Sequence, residues 1–162
     1  MTDPRWLTEA RKYIGTKEIP GVKHEPLILQ WWKAIKRGGI KTDEVPWCAA
    51  FVGAMLEQSG VQSSRFESAQ SYLNWGVRIA AAQVGCVVVF QREGGGHVGF
   101  VVGQDKYGRL LVLGGNQGNA VTVAAFSLDR VVGYRWPPGE PFPPVHVLPV
   151  MSASGASSSN EA

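Results

Sequence analysis

The 162-residue sequence predicts an α+β fold with helices first and sheet afterwards. Apolar residues recur at helical spacing up to about residue 59, whereas after Gly85 the chain turns to β-branched runs divided by glycine-rich turns. No internal repeat is visible, and runs of helices followed by runs of strands are the α+β pattern.

Trp6, Leu7, Ala10 and Ile14 place a first helix from Pro4 to about Ile14, with Gly15 as its stop. Residues 18–24 read as a loop. Pro26 then opens a second helix carrying Ile28, Leu29, Trp31, Trp32 and Ile35, which Gly38-Gly39 ends. Asp43-Glu44-Val45-Pro46 resembles a helix start, with acidic residues where orphan amides and the positive dipole end favour them. The third helix is expected from about Trp47 to Ser59. Ala49, Ala50, Phe51, Val52, Ala54, Met55 and Leu56 leave it little polar surface, so it belongs in the middle of the domain. A shorter helix is expected at Ala69–Trp75, and strands at 86–91, 97–103, 109–114, 120–125 and 131–136.

These elements predict one domain over 1–137 and a Pro-rich extension over 138–162, in which the Ser-rich stretch 152–162 reads as a disordered tail. A hydrophobic fraction of 44% and a charged fraction of 18% are ordinary for a globular chain. The net charge of +3 is spread over scattered lysines and arginines with no basic stripe, so nucleic acid is not an expected partner. Residues 1–12 lack the apolar core of a secretory signal, no stretch is long enough to span a membrane, and the two cysteines suit free thiols. A monomer is the default expectation.

Three residues are candidates for chemistry. Cys48 falls in the first turn of the third helix, where the helix dipole and unpaired amides favour a thiolate; a buried structural cysteine is the other reading. His97 follows three glycines and opens a strand in which His97, Gly99 and Val101 share a face, so small Gly99 is expected to leave space beside an accessible imidazole, although a lone strand histidine is more often structural. Asn116 ends the strand expected to pair with that of His97. Its amide oxygen would accept an imidazole N–H and fix the ring, although Gly-Gly-Asn also reads as a plain turn. Trp47, Glu18, Asp43 and Gln117 flank these residues and are expected at the substrate, Glu18 and Asp43 toward its amines unless they are ordinary solvated or capping carboxylates. Cys86 lies in an apolar run and reads as core. His24 and His146 stand in no metal-binding spacing, so no metal is inferred.

Taken in order, Pro46-Trp47-Cys48-Ala49-Ala50-Phe51, Ser71-Tyr72-Leu73-Asn74-Trp75-Gly76, Val87-Val88-Val89-Phe90, Gly96-His97-Val98-Gly99-Phe100 and Leu113-Gly114-Gly115-Asn116-Gln117 resemble the CHAP and NlpC/P60 peptidases of bacteriophage endolysins. The resemblance spans roughly residues 10 to 137. It implies a papain-like fold, N-terminal helices on an antiparallel sheet of five to six strands, and cleavage of amide bonds in peptidoglycan by Cys48 as nucleophile, His97 as base and acid and Asn116 as the group orienting His97. No cofactor is needed. It further implies an endolysin that reaches the wall from the host cytoplasm through a holin pore, or a virion-associated hydrolase, acting as amidase or endopeptidase. A non-catalytic wall-binding module and an acyl transferase of the same fold are the competing readings. Three positions depart from the family: Cys86 stands where many relatives have Asp, Gln70 stands where Arg is expected, and Gly114 stands where some relatives carry an acid two residues before the Asn.

Overall fold

The computed structural model describes residues 3–18, 26–40, 46–92, 95–143 and 147–154. Three α-helices come first: α1 (Arg5–Arg11), α2 (Pro26–Ala34) and α3 (Cys48–Gln58). Every residue of α3 from Cys48 to Leu56 is buried, as its all-apolar circumference requires. The helix lies between α2 on one side and the sheet on the other, with Phe51 meeting Trp31 edge-on at 5.2 Å and Phe100 at 6.5 Å. Among the described residues no helix is long and apolar enough to cross a membrane.

Six strands follow: β1 (Val77–Ile79), β2 (Val87–Arg92), β3 (Gly95–Gln104), β4 (Leu110–Gln117), β5 (Ala120–Phe126) and β6 (Val131–Trp136). They form one sheet in the order β1-β6-β2-β3-β4-β5, with every named neighbour pair antiparallel. The expected α+β architecture, helices against an antiparallel sheet as in a papain-like CHAP fold, is the one observed. The β3–β4 turn forms where Asp105 stands, because its carboxylate accepts the backbone N–H of Tyr107 and of Arg109, both at 2.9 Å.

Four details differ from the pattern reading. The segment at Ala69–Asn74 is a 3₁₀ helix, begun by Ser68, whose hydroxyl accepts the Ser71 N–H. The three-residue β1 was not expected, since Val-Arg-Ile is too short to show alternation. β4 runs on through the double glycine to Gln117 instead of ending at 114. Beyond the sheet, residues 147–151 lie along the end of β3, where Gln104 N–H donates to Pro149 O and Met151 N–H donates to Gln104 O, both 2.9 Å. Met151 and Ala153 pack against the core, so the expected tail does not begin at 152. Residues 155–162 lie outside the described residues, as do His24, His146 and the helix-start residues 43–45.

Candidate active site

Cys48 is the first residue of α3, and Trp47, which caps it, supplies no side-chain hydrogen bond to the open amides. A thiol there sits at the positive end of the helix, among N–H groups that stabilise a thiolate. The residue is 5% exposed. Cys86 is in the opposite condition: fully buried, its thiol is pushed up to about 12 by loss of water. It is a protonated core residue at neutral pH, as the sequence led one to expect.

His97 lies near the start of β3, opposite Phe90 of β2. Its ring stacks on Phe126 at 5.4 Å and on Phe90 at 6.2 Å. The expected accessible imidazole is corrected here, because His97 is only 1% exposed. Gly99 does not open space beside it either. A Cβ on Gly99 would lie 2.5 Å from Val112 Cγ1, so β4 already fills the gap.

The side chain bonded to His97 Nε2 is Gln117, whose Oε1 lies 2.9 Å away. Asn116, expected in that role, is the neighbouring residue, and a β-bulge accounts for the exchange. Between Gly114↔Thr122 and Gln117↔Ala120 the chain advances three residues on β4 but two on β5. One extra residue reverses the alternation of faces beyond it. Gln117, instead of Asn116, therefore joins the face of Gly114, and Asn116 takes a left-handed backbone with φ of 59°. A Cβ on Gly114 would lie 2.4 Å from Gln117 Oε1 and 3.4 Å from His97 Nε2, so the glutamine amide fills the place of a side chain at 114.

The next residue, Gly115, meets the start of α3: a Cβ there would lie 2.7 Å from both Phe51 Cβ and Trp47 Cζ3. Adjacent glycines of β4 thus touch the imidazole and the first turn of the cysteine helix. The other expected substrate residues fall as follows. Trp47 is fully buried, so its ring is no stacking surface; its indole N–H donates to Glu18 Oε1 at 3.1 Å. Glu18 is half-buried and anchored through its own N–H to Asn119 O at 3.0 Å. Asp43 lies outside the described residues. Gln70, in the place of the expected arginine, lies against Gly96 beside His97.

Comparison with known families matches residues 40–116 to the CHAP domain. That segment is similar to CHAP domains. It runs from just before α3 to the penultimate residue of β4, and so contains both Cys48 and His97 while ending one residue short of Gln117. CHAP domains are in general cysteine amidases or endopeptidases acting on peptidoglycan, and the match is consistent with that chemistry. No curated protein matches the chain.

The contact between Gln117 and His97 was missed by pattern reading, which put Gln117 at the substrate. Two signals pointed to it: a double glycine followed by Asn, a residue tolerant of left-handed backbone, at a strand end.

Proposed function

We propose that this CHAP-like domain hydrolyses amide bonds of peptidoglycan peptides, with Cys48 as nucleophile and His97 as general base and acid. The observation that carries the reading is the family match across a segment in which Cys48 begins a helix. In the reaction His97 takes the thiol proton, the thiolate attacks the scissile carbonyl carbon, and the oxyanion is met by the Cys48 backbone amide and a second donor. His97 then returns the proton to the departing amine, and water releases the acyl group by the same steps in reverse roles. The hydrogen bond between His97 Nε2 and Gln117 Oε1, 2.9 Å long, supports a third group that holds the imidazole. Low exposure of both groups strengthens every charge interaction between them and substrate. The ordered motifs shared with endolysins support a phage lytic setting, with the wall reached from the host cytoplasm.

The test is incubation of purified peptidoglycan with the wild-type protein and with Cys48→Ala, reading fragments by mass spectrometry and new amino groups chemically. Free amines released only by the wild type are expected. Fragment masses then separate cleavage at the muramic acid–alanine bond from cleavage within the stem peptide. Equal release by the alanine variant would remove Cys48 from the reaction.

A further inference from the structure

We infer that Gln117 is the positioning residue of the imidazole, a neutral amide that fixes His97 as its Nε2–H tautomer from a position shifted by the bulge. The inference rests on the hydrolase reading for its catalytic use, and on hydrogen-bond chemistry alone for the tautomer.

The direction of the Gln117 amide is set by what lies behind it. Its Nε2 is 2.8 Å from Thr122 O and 3.2 Å from Val112 O, with Thr122 Oγ1 also at 3.2 Å. Backbone carbonyl oxygens only accept, so the end of the amide facing two of them is the NH₂, which donates twice. Turning the amide over would set its oxygen against both carbonyl oxygens, with no proton between them. The other end, Oε1, can therefore only accept, and its partner at 2.9 Å, His97 Nε2, is the donor. In a neutral imidazole with its proton on Nε2, the lone pair able to take the Cys48 proton is on Nδ1. A carboxylate in the same place would make the same bond but add a negative charge that favours imidazolium. The amide orients the ring without that charge.

The geometry also explains the departure at Gly114. A side chain there and the Gln117 amide compete for one space, since a Cβ on Gly114 falls 2.4 Å from Oε1. Glycine at 114, the extra residue and glutamine at 117 form one device: the first vacates the place beside Nε2, the second turns residue 117 inward, and the third fills it.

The experiment is ¹⁵N NMR of the imidazole of His97 in the intact protein, at a pH where the ring is neutral, followed by the same measurement on Gln117→Met, which keeps size and removes donor and acceptor. Expected in the wild type is a protonated Nε2 and an unprotonated Nδ1. Expected in Gln117→Met is a mixed tautomer signal, with peptidoglycan kcat lower on the order of 10- to 100-fold and KM little changed. An Nδ1–H tautomer in the wild type overturns the inference without any variant, as does a Gln117→Met spectrum identical to that of the wild type. If the wild type shows Nε2–H and the variant the mixed signal while neither protein cuts peptidoglycan, the hydrolase reading fails and the Gln117 assignment stands.

Discussion

The indole N–H of Trp47 donates to the Glu18 carboxylate at 3.1 Å, which ties the residue that precedes Cys48 to a segment running beside β5. Lys17 bridges to Ala120, and Glu18 N–H reaches Asn119 O, so the start of α3 is held from β5 as well as from β4. Replacing Glu18 with Ala leaves a fully buried indole N–H without its acceptor. The expected cost is about 1 to 2 kcal/mol, or a Tm lower by about 2 to 8 °C for a domain of this size. Thermal unfolding followed by circular dichroism checks it, and an unchanged Tm would mean the bond contributes nothing.

Gly115→Ala tests the contact between β4 and the cysteine helix. The new methyl would sit 2.7 Å from Phe51 Cβ, inside a packed core, and cost about 1 to 3 kcal/mol in strain. Because relief requires the first turn of α3 to move, hydrolysis is expected to fall by more than the stability loss explains at a temperature where the variant is still folded. Rates measured well below its Tm separate the two effects.

The two thiols are expected to react at very different rates. Cys86 is fully buried with its thiol pushed up to about 12, so it offers little thiolate at pH 7 to 8, whereas Cys48 stands at a helix start. Iodoacetamide under native conditions should label Cys48 first, read by peptide mass spectrometry, and Cys86→Ala should leave activity intact. Preferential labelling of Cys86 would contradict the burial.

Glu57, at the far end of α3, gives a pH prediction. Burial by itself pushes this carboxyl up, but the Arg65 guanidinium at 2.9 and 3.1 Å and the amide and hydroxyl of Ser63 outweigh it and hold the carboxyl below its usual value of 4.5. A carboxyl whose folded value is lowered adds stability above the unfolded value and loses it as pH falls through the folded one. Chemical denaturation from pH 7 to pH 3 should therefore show a smaller loss of stability in Glu57→Gln than in the wild type, with the curves separating below about pH 4.5. Parallel curves would remove Glu57 from the acid limb.

How far pattern reading reached can be judged residue by residue. α3 was legible because an apolar run bounded by an acidic, proline-containing start leaves few alternatives, and the Asp105 turn because a short acid beside glycine forms a known local bond. The orienting contact was not. Alternation predicts Asn116 on the face of Gly114, and one inserted residue is invisible to a rule with a period of two. The burial of Trp47 was equally hidden, since an indole before a helix looks the same in sequence whether it faces solvent or, as here, lies between Trp31 and Gly115.

The place of β6 has a consequence for how the chain can be assembled. This last strand lies between β1 and β2, so Val87–Phe90 of β2 pair on one side with residues 131–135. Until those residues leave the ribosome, β2 carries a row of open N–H and C=O groups, an edge able to pair with another chain. The segment matched to the CHAP domain ends at Asn116, before β5 and β6 have begun. A nascent chain thus carries Cys48 and His97 well before the strand that closes their sheet, and the final seal comes from the part of the domain the family pattern does not include.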